Sequence, residues 1–191
     1  MDYRDIYTEG ITKITKTDIE YAKALHASIK LLGTSKWEDD GKIYSMVAPF
    51  MIDSDHPLGH VNGVFNGIFV NGNMLGDTMF YGKGAGKLPT ASAVVADVVD
   101  AVKHQGTNIM TIWEQDKVEL GDRANFACRF FVRVADTTSK ETIEKVFGEV
   151  EYVTLADVSG EYAFLTEKLT EGAFEEKSKQ VDMIMRIRTA L

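Results

Sequence analysis

Eight of the chain's 16 glycines fall between Gly59 and Gly86. Glycine removes the Cβ and tolerates positive φ, so a stretch this dense is governed by backbone geometry and close approach more than by side-chain packing. Inside it, Asn71 and Gly72 stand between residues 67–70 and 74–81, which predicts a hairpin with a type I′ turn. The second strand runs directly into Gly82-Lys83-Gly84-Ala85-Gly86-Lys87. Pro89 and Thr90 then open a helix whose apolar stripe is Ala91, Val94, Val98 and Val102, closed by Lys103, His104 and Gly106.

Two phosphate-binding motifs are excluded by this spacing. A P-loop needs Ser or Thr after its lysine, and Lys87 is followed by Leu88. Gly82, Gly84 and Gly86 read G-x-G-x-G, without the G-x-x-G ending and without the preceding βαβ unit of a dinucleotide fold. Two readings remain open. The turn either brings backbone N–H groups and a positive helix end close to a ligand, or it is a strand-to-helix packing turn. Gly86, Gly84 and the nearby Thr90 are the candidate binding residues on the first reading.

Elsewhere the side chains assemble no recognisable chemistry. His26, His56, His60 and His104 have no ligand spacing, either with each other or with Cys128, so no metal site is expected. Asp97, Asp100 and the cluster Glu38, Asp39, Asp40 read as solvated faces, Trp37 and Trp113 as loop anchors, and no nucleophile or other catalytic residue stands out. With 21 basic against 29 acidic residues the net charge is −8 and no basic run occurs, which argues against a nucleic-acid partner. One cysteine allows no internal disulfide, and no apolar stretch approaches the ~18 residues of a membrane span, so the expected location is the cytoplasm.

The flanking regions predict an α+β chain. Thr17 and Glu20 have capping-box spacing before a short helix over residues 18–27, with Ile19, Ala22 and Leu25 on one face. The apolar run at Ile29, Leu31 and Leu32 and the run over residues 43–50, separated by Asp39, Asp40 and Gly41, predict an antiparallel pair. Residues 105–125 are polar and weakly periodic and read as a linker. Beyond them come a strand at 128–134, a helix capped by Thr138 with Glu141 and carrying Ile143, Val146 and Phe147, strands at 150–158 and 161–169 around Ser159-Gly160, a helix at 171–180 and a strand at 183–187. That βαββαβ order reads as a small ferredoxin-like domain with helices on one face of an antiparallel sheet.

The segments DIYTEGITKITKTDIEYAKAL, SIKLLG, DHPLGHVNGVFNGIFVNG and FYGKGAGKLPTASAVVAD, in this order and spacing from Asp5 to Val102, resemble homoserine dehydrogenase. The resemblance implies an oxidoreductase that interconverts L-homoserine and L-aspartate 4-semialdehyde with NAD(P), on the route to threonine, isoleucine and methionine. It implies residues 1–106 as the C-terminal part of a catalytic and dimerisation region, 107–125 as a linker and 126–191 as an ACT-like regulatory domain. Gly86 matches a position whose backbone approaches the cofactor in the family, while Gly84 and Thr90 stand on the backbone argument alone. The family's Rossmann domain and its lysine in a D-x-x-x-K arrangement precede this region, and the chain opens at Met1-Asp2-Tyr3 past that lysine. On this reading the chain alone is inactive, holds no cofactor, and forms a homodimer. Many ACT domains that bind amino acids carry a glycine in the loop after the first strand, where this chain has Asp136, Thr137, Thr138 and Ser139, so effector binding is expected to be weak or absent. The alternative to an enzyme part is an amino-acid-sensing or oligomerisation module without catalysis, and a purely structural dimer piece is a third reading.

Overall fold

The computed structural model describes residues 2–107, 110, 112 and 118–190. They fall into two compact units, Met1–Ser54 with Lys117–Leu191, and Asp55–Asp116. The units therefore do not follow the division at residues 106 and 126, because the first and last parts of the chain share one sheet.

The first unit is built on that mixed, eight-stranded sheet. β2 (Ala27–Trp37) and β3 (Ile43–Asp53) form the expected antiparallel pair over their whole length. The other edge of β3 takes β1 (Tyr7–Thr8) at Met46 and Val47 and β10 (Met183–Ala190) at residues 50–52, both parallel. From β10 the sheet continues antiparallel through β6 (Ala127–Ala135), β8 (Glu161–Thr166) and β7 (Val150–Val153), with the short β9 (Leu169–Thr170) beside the start of β6. Within the C-terminal segment the strands thus lie in the order fourth, first, third, second, connected by α3 (Lys140–Phe147) and α4 (Glu171–Ser178).

Both faces of this sheet are covered. Phe130, Val132 and Val134 point from β6 toward α3 and α4, packing with Ile143, Phe147, Phe164 and Phe174. Phe131, on the opposite face by strand alternation, packs with Tyr21 and Ala22 of α1 (Lys16–Ala24), together with Met51, Leu165 and Ile187. Within the C-terminal segment α3 and α4 share one face, as expected, while α1 covers the other face of the larger sheet. Double coverage is also why β6 reads as a near-continuous apolar run around Arg133.

Several local expectations are displaced by one or two residues. The capping box of α1 is Thr15 with Asp18, whose side chains and backbone N–H groups bond reciprocally, so the helix starts two residues before the Thr17–Glu20 reading. It ends at Ala24 with Leu25 as its C-cap, and His26 at φ +52 turns the chain into β2. Ser139, not Thr138, caps α3 by accepting the Thr142 N–H, while the Thr138 carbonyl accepts the Tyr162 hydroxyl at 2.6 Å. Of the linker over 105–125, residues 118–125 belong to this unit: Ile43 N–H donates to Glu119 and Gly121 N–H donates to Ile43. Trp37 ends β2 as an exposed strand residue and anchors no loop, while Trp113 lies outside the described residues.

Cys128 is buried at the start of β6. Burial first, and then the nearby Glu171 carboxylate, pushes its thiol up to about 12. At pH 8 the thiolate fraction is then on the order of one in ten thousand. A disulfide reagent at pH 8 should label the native protein far more slowly than the urea-unfolded chain. Equal rates would mean that the start of β6 opens freely.

The second unit holds a 3-10 turn at Pro57–His60, the hairpin β4 (Phe65–Gly72) and β5 (Gly76–Lys83), and α2 (Lys87–Lys103). Asn71 and Gly72 are strand residues, paired with Asp77 and Gly76. The loop is residues 73–75, closed by Gly76 at φ +68, so the type I′ turn at Asn71-Gly72 is not formed. Phe65, Gly67, Phe69 and Met79 are half-buried on one face of the hairpin, where Leu58, Val61 and His56 pack; Ile68, Val70 and Phe80 are exposed on the other. α2 begins at Lys87, two residues before Pro89, and has no buried residue. The stripe read as a core face is at the surface: Val94, Val98 and Val102 are 57, 57 and 67% exposed.

Candidate functional site

The turn from β5 into α2 separates the two candidate glycines by cause. Gly84 donates its N–H to the Val64 carbonyl at 3.2 Å, and a Cβ built on it would stand 1.6 Å from Asn66 Nδ2. Gly84 is therefore a packing glycine, fixed by an asparagine from the facing strand that the sequence reading did not single out. Gly86 is different. It sits at φ +119, and a Cβ on it would meet only Pro89, at an ordinary 3.6 Å. Its requirement for glycine is conformational, and the space beside it is open.

That conformation makes Gly86 the N-cap of α2 without any side-chain capping bond. Its carbonyl accepts the Thr90 N–H at 3.2 Å, so the Thr90 amide is already committed within the helix. Pro89 carries no N–H, which leaves the amides of Lys87 and Leu88 at the helix head. An open groove of about 540 Å³ lies against them, with Val64, Leu88 and Pro89 as apolar lining and Lys83 and Lys87 as its charged residues. Lys83 Nζ lies 5.7 Å from the centre of the Phe65 ring. Among the described residues, no carboxylate lines the groove. Two lysines, uncapped amides and the positive end of a 17-residue helix attract an anionic or strongly polar group beside an apolar surface.

His56, His104 and the acidic cluster take structural roles. His56 Nδ1 accepts the Leu58 N–H at 3.1 Å and its ring packs 4.8 Å from Phe69. His104 closes α2 beside Asp100, 3.3 Å away. In the acidic cluster Glu38 pairs with Lys36 at 2.7 Å and Asp40 accepts the Tyr44 hydroxyl at 2.9 Å.

A mixed-sheet α+β chain with a glycine turn feeding an uncapped helix head is the class defined by this geometry, and comparison with known proteins narrows it. The family model for homoserine dehydrogenase matches residues 1–99. The homoserine dehydrogenase of Pseudomonas aeruginosa is 47% identical over 103 residues, covering 54% of this chain and 24% of the relative. That of Helicobacter pylori is 35% identical over 142 residues, 74% of this chain and 34% of the relative. Among solved structures, a homoserine dehydrogenase from Thiobacillus denitrificans superposes with a TM-score of 0.81 at 25% identity, over 99% of this chain and 48% of that one. The Staphylococcus aureus homoserine dehydrogenase at pH 7.0 gives 0.74 at 30% identity, over 100% and 49%. The chain belongs to the homoserine dehydrogenase family. It spans about a quarter to a third of these curated relatives and about half of the solved chains. The structural likeness extends past residue 99 through the C-terminal segment.

Proposed function

We propose that the chain forms part of an NAD(P)-dependent homoserine dehydrogenase that interconverts L-homoserine and L-aspartate 4-semialdehyde, in the synthesis of threonine, isoleucine and methionine in the cytoplasm. The observation that carries this reading is Gly86, held at φ +119 with no neighbour filling its Cβ position, at the uncapped head of α2. Gly86 needs glycine for its backbone conformation, whereas Gly84 needs it for space. The groove suits the cofactor: its apolar lining fits a flat ring, and Lys83, Lys87 and the first-turn amides fit anionic or carbonyl groups. The bound dinucleotide supplies the hydride acceptor and donor. The residues of this chain orient it through Gly86 and the helix head, with Gly84 setting the shape of the turn. A direct test is a chimera in which the matched region of the P. aeruginosa enzyme is replaced by that of this chain. It should restore growth without threonine and methionine to a strain lacking homoserine dehydrogenase, and failure of a well-expressed chimera would count against the assignment.

In this reading residues 1–106 are the catalytic and dimerisation region, 107–125 a connection and 126–191 the ACT-like part. The strand order of the C-terminal segment supports the last assignment. Its loop after β6 is poorly suited to an amino-acid carboxylate. Asp136 N–H already donates to Gly160 and Thr138 N–H to Ala135, both at 3.0 Å, and Asp136 adds a negative charge. A ligand bound only by the folded state adds about 2.7 kcal/mol at 100 times its Kd. Millimolar threonine, isoleucine or methionine should therefore leave Tm unchanged through this loop. A saturable rise that grows with Asp136→Asn would show that the loop does bind an effector. The exposed Ile68, Val70 and Phe80 face of the β4–β5 hairpin supports a homodimer, since a two-stranded ribbon is marginal alone. Light scattering at micromolar concentration should give twice the 21.2 kDa chain mass, and a monomer would contradict it.

A further inference from the structure

Two buried arginines occupy opposite faces of the eight-stranded sheet, and each binds one carboxylate from either end of the chain. Arg133, in β6 on the face of α1, donates from Nη1 to Asp18 Oδ1 at 2.6 Å. It also grips Glu161 of β8 with two bonds, at 2.6 and 3.0 Å. Arg188 follows Ile187, which packs on the α1 face, so its side chain lies on the face of α4. It donates to Glu9 at 2.7 Å, just after β1, and makes two bonds to Glu171 of α4, one of them at 3.1 Å. The side chain of Arg133 is 6% exposed and that of Arg188 is fully buried. Their N-terminal partners lie 115 and 179 residues away in sequence.

Each cluster is completed by secondary donors that tie it to local structure. Asp18 is the reciprocal partner of Thr15 in the cap of α1, and Thr15 Oγ1 also accepts from Arg133 at 3.2 Å. Glu9 accepts from Arg186 at 2.9 Å and from the Tyr7 hydroxyl at 3.1 Å, and Glu171 accepts from Arg123 at 2.8 Å. Arginine stays charged at any working pH, so releasing one carboxylate leaves buried guanidinium N–H donors without their charged acceptor. A partly released state is thereby penalised on whichever face it occurs.

We propose that Arg133 and Arg188 form a two-sided clamp that makes the segment from β1 through α1 and the C-terminal βαββαβ segment one conformational unit, so that a displacement of either is transmitted to the other. The proposal rests on the clamp geometry alone and is independent of the reaction assigned above. Peptide-resolved hydrogen exchange on the full chain at graded urea tests it. In the unaltered protein, α1 and β8 should open together, with the same urea dependence. Glu9→Gln, which touches no helix cap, should speed exchange in α4 and also in α1 on the opposite face, each on the order of a hundredfold. Asp18→Asn should likewise reach α4. Acceleration confined to the face carrying the substitution would overturn the clamp, as would α1 opening well before β8 in the unaltered protein. The last comparison needs no variant and stands even if both substitutions prevent folding.

Discussion

Gly86→Val in the P. aeruginosa chimera is expected to lower kcat/KM for the cofactor by on the order of a hundredfold or more, while the helix content by circular dichroism stays the same. At φ +119 a β-branched residue is strained whatever the space around it. The head of α2 must then rearrange, and a displacement of about 1 Å in a positioning element can cost a factor of about 100 in rate. Gly84→Ala should fail differently. Its Cβ would collide with Asn66 Nδ2, so the loss appears in Tm, and Asn66→Ala in the same molecule should recover it. If Gly86→Val keeps the original dependence on cofactor concentration, the turn serves packing alone.

The second large effect concerns the 191-residue chain by itself, which should form no NAD(P)H from homoserine. Hydride transfer needs a dinucleotide fixed at both ends and an acid-base group beside the substrate. Among the described residues, the groove at the head of α2 has neither a carboxylate nor a histidine in its lining. Homoserine-dependent NAD(P)H formation by the purified chain, proportional to its concentration, would show that the groove is a more complete site than its lining indicates.

Much of the local structure was legible because it follows from short-range rules. The β2–β3 pair, the helix carrying Ile143, Val146 and Phe147, and the βαββαβ order all come from periodicity and turn residues. The glycine turn was legible as a place where backbone matters, but not which glycine did what. That needed Asn66, which reaches Gly84 from the facing strand. The joining of β3 to β10 was invisible because a parallel pairing across 138 residues, Phe50 with Arg188, leaves no local signature. The burial of Arg133 and Arg188 has no local signature, because their partners Glu9, Asp18, Glu161 and Glu171 come from other elements of the chain. The valine stripe of α2 has the periodicity of a buried face, yet no described residue of its own unit covers it. Periodicity reports that a face wants to be buried, not what buries it.

The most direct measurement is steady-state NADPH oxidation by the purified chimera with L-aspartate 4-semialdehyde as the second substrate. Expected is turnover within about tenfold of the unaltered P. aeruginosa enzyme, since interchangeable packing faces and an intact helix head preserve the positioned geometry on which rate depends. A chimera that folds and binds NADPH but does not oxidise it in the presence of the semialdehyde would contradict the assignment of this chain to the catalytic part of a homoserine dehydrogenase.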